Sequence, residues 1–108
     1  MPDVRVIIEG TPPDRCFFVL DGQELVTVAG RAEVELAFEV PHRLRYAFTG
    51  TPFSDFAVVV SAADGAVVVR RDASGEEVAV EPITGRIPEG KLFVGGNLRF
   101  KVKPAATP

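Results

Sequence analysis

The chain has 108 residues, of which 46% are hydrophobic and 25% are charged, and its formal net charge is −3. These values are typical of a folded domain and exclude a disordered chain, while the small acidic excess argues against a nucleic-acid partner. A single cysteine excludes an internal disulfide, and with a single histidine it cannot supply a Cys/His zinc cluster.

The length and the two ends of the chain predict one domain and a short tail. Residues 1–103 suffice to bury one hydrophobic core, and residues 104–108 read Pro-Ala-Ala-Thr-Pro, which predicts a flexible tail or the stub of a linker. No apolar run approaches the roughly 20 residues of a membrane helix, so we expect no membrane partner. The N-terminus shows no signal peptide, and we therefore expect a cytoplasmic protein.

Turn residues divide the N-terminal part of the chain into short strands. A first strand over 4–8 ends before Pro12 and Pro13, because proline lacks the amide that a β-ladder needs. The Asp21–Gly22 pair lies between apolar segments 15–20 and 23–28. It predicts a type I′ hairpin, in which both turn residues take positive φ.

The segment 31–40 alternates apolar and charged residues, with Ala37 as the break. Its Ala, Glu and Leu content would suit a helix, but helical geometry splits the apolar positions into two patches, so we predict a strand. A three-residue loop over 41–43 then forms a hairpin with the next strand. This register places Glu39 opposite Arg45 and keeps the apolar side chains on the other face.

A second Asp-Gly pair, Asp64–Gly65, lies between apolar segments 56–61 and 66–71. We therefore expect a second hairpin, in which Val60 lies opposite Val69. A valine triplet in each strand makes the hairpin apolar on both faces, which is typical of strands that are central or covered by a second layer.

The remaining segments complete a count of about nine strands without a helix. A strand is predicted over 78–83, and a last hairpin joins 92–94 to 97–102 around Gly95–Gly96. Short strands at this spacing predict an all-β, two-layer antiparallel β-sandwich, with a small closed β-barrel as the alternative. The sequence has no tryptophan and no cysteine pair, so the immunoglobulin markers are missing.

No constellation of residues predicts catalysis, a metal site or a cofactor. His42 is the one ordinary base near neutral pH, but it lies in a predicted turn without a nucleophile motif, which favours a solvated residue. Cys16 lies in an apolar strand, where a cysteine is usually a small buried hydrophobic residue. The loop aspartates lack the close Asp-x-Asp spacing of a calcium site. We therefore expect a protein that is not an enzyme.

Two predicted strands carry stripes of like charge. Either stripe could contact a partner, but solvated strand faces that pair with each other are the simpler interpretation. The basic stripe consists of Arg99, Lys101 and Lys103, and the acidic stripe of Glu33, Glu35 and Glu39.

Phe53 is the one aromatic residue that turn formation does not explain. It lies in the predicted loop 50–55 after Pro52, which restricts the backbone. The ring either covers one end of the core or anchors another protein, with Arg43 and Arg45 as a polar rim.

The sequence thus predicts a non-enzymatic protein–protein interaction module whose partner is another protein. It would be an inhibitor, neutralising or escort protein for one partner, a building block of a larger assembly, or an accessory domain of a longer chain. Assembly into a homo-oligomer is left open. The alternative function is that of a ligand-binding sandwich for a metal ion or a small molecule.

Overall fold

The structure is a computed structural model that describes residues 3–104. Within this range the chain forms ten β-strands and no helix, which confirms the all-β class. Among the described residues no helix is long and apolar enough to cross a membrane. The predicted tail, apart from Pro104, lies outside the described residues. The strands are β1 Val4–Thr11, β2 Cys16–Leu20, β3 Gln23–Glu24, β4 Arg31–Leu36, β5 His42–Thr49, β6 Asp55–Ala62, β7 Val67–Arg71, β8 Glu77–Ala79, β9 Ile83–Arg86 and β10 Phe93–Lys103.

The strands form two antiparallel sheets that pack face to face. The smaller sheet has the strand order β4-β1-β6-β9, and the larger sheet has the order β3-β2-β5-β10-β7-β8. The sheets do not close into a barrel, so the two-layer sandwich is confirmed and the barrel alternative is wrong. Two layers form because every second side chain of a strand points to the same face, and each sheet must cover its apolar face.

The core lies between the two sheets and consists of one cluster of inward-facing side chains. Burial alternates residue by residue in β1, where Val4, Val6 and Ile8 are buried. Across the interface, Phe48 of the larger sheet stacks on Phe56 of the smaller sheet, with ring centroids 4.9 Å apart. Aromatic contact joins the two layers in a chain that has neither tryptophan nor a disulfide.

The Asp21–Gly22 turn is confirmed. φ is 51° at Asp21 and 85° at Gly22, as a type I′ turn requires, and the turn joins β2 to β3. The strand that follows is much shorter than the predicted segment 23–28, because β3 has only two residues. The chain then leaves the sheet to reach the start of β4.

The predicted hairpin between segment 31–40 and the next strand is wrong. β4 ends at Leu36 and pairs with β1, not with β5. The chain then crosses to the larger sheet, where Glu39 takes a positive φ of 65° and its amide donates to the carbonyl of Val102 (2.8 Å). Glu39 and Arg45 therefore do not pair. A period-two pattern predicts which side chains face the core, but it does not select the neighbouring strand.

The Asp64–Gly65 turn connects the two sheets instead of two neighbouring strands. φ is positive at both residues (58° and 75°), as the turn chemistry predicts. However, Val60 of β6 lies opposite Ile8 in the smaller sheet, and Val69 of β7 lies opposite Lys101 in the larger sheet. The predicted hairpin is wrong, because each strand finds its hydrogen-bonding partners in a different layer.

Gly95 and Gly96 lie within β10 and not in a turn, so the predicted last hairpin is wrong. The Tyr46 ring lies against Gly96, where an added Cβ would be 2.6 Å from Tyr46 Cζ. The glycine serves this close approach of an aromatic ring to the backbone, as glycine within a strand often does. The predicted strand over 78–83 is divided between β8 and β9, which belong to different sheets.

Candidate functional site

Three large hydrophobic side chains are exposed at the end of the sandwich where β5 ends and β10 begins. Phe53, Leu92 and Phe93 are 62%, 69% and 64% exposed. Phe93 lies opposite Thr49 across the β5–β10 pair, and the Gly50 amide donates to the Leu92 carbonyl (3.0 Å). We call the surface formed by Phe53, Leu92 and Phe93 the apolar end.

Phe53 has a backbone conformation that a bulky residue rarely adopts. Its φ is 69°, in the left-handed region, and its amide donates to the carbonyl of Ile87 (2.7 Å). The ring does not belong to the core cluster formed by the described residues, and its exposure disfavours a role in covering the core. The half-buried Pro52 and the bond to Ile87 hold the loop with this ring in contact with solvent.

The structure does not bring Arg43 and Arg45 to Phe53. Both arginines lie exposed on the outer face of β5, and Arg43 is about 20 Å of strand away from the Thr49 end. The two arginines therefore do not form a rim around Phe53. Arg43 lies directly opposite Arg99 of β10, which places two like charges side by side.

The acidic and basic stripes belong to different sheets, so they do not lie side by side. Glu33 of β4 forms ion pairs within the smaller sheet, at 3.6 Å from both Arg5 and Arg31. Among residues 3–104 the one link between the stripes is Glu39, whose carboxylate lies 3.9 Å from Lys103 Nζ. Arg99 and Lys101 of the basic stripe therefore form no ion pair with the acidic stripe in the described chain.

Glu77 of β8 binds two lysines of the basic stripe. Its carboxylate oxygens lie 2.5 Å from Lys101 Nζ and 2.6 Å from Lys103 Nζ. The hydrogen bonds from Lys101 and Lys103 lower the pKa of the Glu77 carboxyl to about 2, and the bond to Glu77 raises the pKa of Lys103. Because β7 lies between β8 and β10, these side chains cross over it and cover the outward-facing Val69, which is buried.

Glu77→Gln is expected to remove part of the acid dependence of stability. The folded-state pKa of Glu77 lies below its ordinary value of 4.5, so the ionised carboxylate stabilises the fold above that pH, and this contribution is lost as the pH falls towards about 2. Urea unfolding over a pH series is expected to show a shallower decline in this interval for the variant. Glu81→Gln, in the connection between β8 and β9, is the control and is expected to follow the wild type. If the free energy of unfolding fell equally with pH in Glu77→Gln and the wild type, the lowered pKa assigned to Glu77 would be contradicted.

His42 is not the solvated turn residue that the sequence predicts. It begins β5, and only 10% of its side chain is exposed. Nδ1 lies 2.6 Å from one carboxylate oxygen of Asp21, the other oxygen accepts the Arg43 amide (2.8 Å), and the ring packs on Phe100. Partial burial acts to raise the pKa of Asp21, but the hydrogen bonds from His42 and Arg43 and the charge of His42 outweigh it, so the pKa is lowered. These contacts fasten the β2–β3 turn to β5.

Cys16 and His42 lie at opposite ends of the larger sheet and do not form a catalytic pair. Cys16 lies opposite Phe48 near the end of β5, whereas His42 lies at its start. The thiol is half-buried and contacts the carbonyls of Pro13 (3.6 Å) and Gly30 (3.9 Å). Burial raises the pKa of the Cys16 thiol, which leaves less of the reactive thiolate near neutral pH.

Sequence reasoning missed Leu92 and Phe93 as surface residues, because both were assigned to a predicted hairpin strand. The sequence did contain a signal, because Leu92 and Phe93 directly follow the polar turn 88–91. Formation of that turn does not require large apolar side chains at these positions. The adjacency of Arg43 and Arg99 had no such signal, because it depends on which strand lies beside β5.

No group of three or more side chains that could hold a metal ion is present among the residues that the structure describes. The chain matches no protein-family model, and neither curated proteins nor solved structures show a significant similarity to it. Its function is therefore inferred from the geometry and chemistry of its own surfaces.

Proposed function

We propose that the protein is a non-enzymatic module that binds another protein through the apolar end. The observation that supports this most strongly is Phe53, an exposed aromatic ring on a backbone held in a left-handed conformation. Such a conformation costs on the order of 1–3 kcal/mol for a residue other than glycine, and such strain is concentrated at functional sites. Core packing does not explain the ring, because it lies outside the cluster of buried residues in the described chain.

Leu92 and Phe93 extend the exposed surface around Phe53. Large apolar side chains that are exposed together typically mark an interaction site, because their contact with water is unfavourable. Truncation of an aromatic anchor in an interface commonly costs about 2 kcal/mol or more of binding free energy. A loop that is already fixed by hydrogen bonds loses little entropy when a partner holds it. The same surface would serve an inhibitor or escort protein for one partner, or a building block of a larger assembly.

Phe53→Ala is expected to weaken binding to a verified partner by about thirtyfold or more, with the free energy of unfolding changed by less than about 1 kcal/mol. The small effect on stability is expected because the ring is 62% exposed in the free protein. Partners would first be recovered from the native host with the wild-type protein. Affinity would then be measured by calorimetry with the purified partner, and stability by urea unfolding.

Val67→Ala is the matched control, because Val67 is 39% exposed and lies opposite Lys103, at the end of β10 remote from Phe93. It is expected to bind like the wild type. If self-association is the interaction, sedimentation of the wild type is expected to depend on concentration, and this dependence is expected to disappear in Phe53→Ala. Equal affinity of the wild type and Phe53→Ala for a verified partner, or a large loss of stability in the variant, would contradict the proposal.

A further inference from the structure

β10 changes its neighbouring strand along its length, so each part of it pairs with a strand on one side. It pairs with β5 from Phe93 to Phe100, but with β7 only from Lys101 to Lys103. On the β7 side, the first part of β10 is therefore an open edge in the middle of the larger sheet. Such an edge offers unpaired amides and carbonyls to an added strand.

The backbone hydrogen bonds that β10 already makes show which of its amides and carbonyls point to this open edge. The carbonyl of Leu92 accepts the Gly50 amide, and the carbonyl of Val102 accepts the Glu39 amide, so even-numbered residues of β10 point to the β5 side. In an antiparallel ladder, alternate residues direct their backbone groups to opposite sides. The amides and carbonyls of Gly95, Asn97 and Arg99 therefore point away from β5, into the gap. They are the groups that an added strand would bond.

A cleft of about 440 Å³ opens where β7 leaves β10, and its lining is strongly basic. Extending the β7–β10 register by two residues would place Arg71 opposite Arg99, and pairing stops before this point. Three arginines of the lining, Arg70, Arg71 and Arg99, form no ion pair among residues 3–104. Arg43 adds a fourth positive charge, because it lies opposite Arg99 on the other side of β10.

Like charges on neighbouring strands destabilise the free protein. The carboxylate of Glu77 lies opposite Arg71 across the β7–β8 pair, but it forms no ion pair with Arg71. The carboxylate that lines the cleft, Glu77, is already bound to Lys101 and Lys103. A negatively charged occupant would convert this repulsion into attraction, because arginine binds carboxylates through directed, charge-assisted hydrogen bonds. The cleft thus places a positive potential at the Arg99 end of the open edge.

We propose that the cleft between β7 and β10 binds an extended acidic segment of another protein, which adds to the open edge of β10 as a further strand. Backbone bonds to Gly95, Asn97 and Arg99 provide affinity, and the arginines select acidic side chains. A second copy of this chain is disfavoured as the occupant, because it would bring a second set of arginines to the same place. This site is separate from the apolar end, so each can be tested without the other.

The test uses a fluorescein-labelled octapeptide of alternating glutamate and valine, because successive side chains of a strand point to opposite faces. Fluorescence anisotropy at physiological ionic strength is expected to show binding, and a lysine–valine peptide of the same length is expected not to bind. Amide exchange followed by NMR is expected to slow at least about tenfold at Gly95, Asn97 and Arg99 in the complex. The amides of Gly96 and Leu98 already face β5 and are expected to change little.

Arg71→Glu and Arg99→Glu are each expected to weaken binding of the acidic peptide at least about tenfold, as expected for the loss of a charge-assisted contact. Both variants are expected to fold, because both positions are exposed. Arg15→Glu changes the net charge equally at an exposed position before β2 and is expected to bind within about twofold of the wild type.

Several results would overturn the proposal. They are no binding of the acidic peptide, equal binding of the acidic and basic peptides, and unchanged exchange at the three edge amides. A free protein that sediments as a dimer with those amides already protected would assign the edge to a second copy instead. If Arg15→Glu weakened binding as much as Arg71→Glu, the effect would come from the net charge of the protein and not from the cleft. That result would also overturn the proposal.

Discussion

Phe48→Ala is expected to lower the free energy of unfolding by about 3–5 kcal/mol, the usual cost of removing a buried phenylalanine ring. Phe48 is fully buried and contacts aromatic rings of both sheets. Its ring is edge-on to Phe18 at 6.5 Å, lies 6.4 Å from Tyr46, and stacks on Phe56 of the opposite sheet at 4.9 Å. Removing the ring takes apolar surface out of the core and leaves a cavity between the layers, which the surrounding strands cannot fill without moving.

Urea unfolding followed by circular dichroism would measure this loss. Phe93→Ala is the matched control, because Phe93 lies on the adjacent β10 but is 64% exposed. The control is expected to change the free energy of unfolding by less than about 1 kcal/mol. Similar losses for the two variants would show that Phe48 does not join the two layers as described.

Gly30→Ala is expected to lower the free energy of unfolding by about 2–4 kcal/mol, because it combines backbone strain with overpacking. The φ of Gly30 is +77°, a value that side-chain-bearing residues rarely adopt. An added Cβ would lie 2.5 Å from Pro13 Cα and 2.8 Å from the Gly10 carbonyl oxygen. Both are backbone atoms, so no rotamer change relieves the contact. The Gly30 carbonyl also accepts the Gly10 amide (2.8 Å), which ties the end of β1 to the start of β4.

Gly22→Ala separates the two causes of this loss. The φ of Gly22 is +85°, but an added Cβ would meet no atom within 4 Å. This variant has the conformational cost alone, and it is expected to lose about 1 kcal/mol. Thermal and urea unfolding of both variants would provide the comparison. Equal losses would mean that the approach of Gly30 to Pro13 contributes nothing to the effect.

β10 contributes residues to both of the surfaces that we propose for binding. It begins at the apolar end with Phe93 and continues along the open edge to Arg99. A single rigid strand thus fixes the spacing between an apolar surface and a basic cleft. A partner that presents an apolar patch and an acidic segment could contact both surfaces, and each contact can be removed separately by Phe53→Ala or Arg71→Glu.

The sequence by itself determines the features of this protein that depend on local chemistry. The strand-and-turn spacing predicts an all-β sandwich, and the Asp21–Gly22 and Asp64–Gly65 pairs take positive φ where turn chemistry places them. The alternation in the segment 31–40 predicts which side chains of β4 are buried. Phe53 stands out in the sequence because its turn does not need it. These features hold because each depends on a few neighbouring residues.

Only the tertiary structure decides which strands become neighbours. The same turn, Asp64–Gly65, can close a hairpin or cross between layers, and here it crosses because β6 pairs with β1 while β7 pairs with β10. Such pairings place Arg43 beside Arg99, expose Leu92 and Phe93 at the end of the sandwich, and leave one edge of β10 open. A period of two specifies the face of a side chain and not the strand beside it, because every apolar strand can satisfy its backbone against several others. Packing of the whole core selects one arrangement.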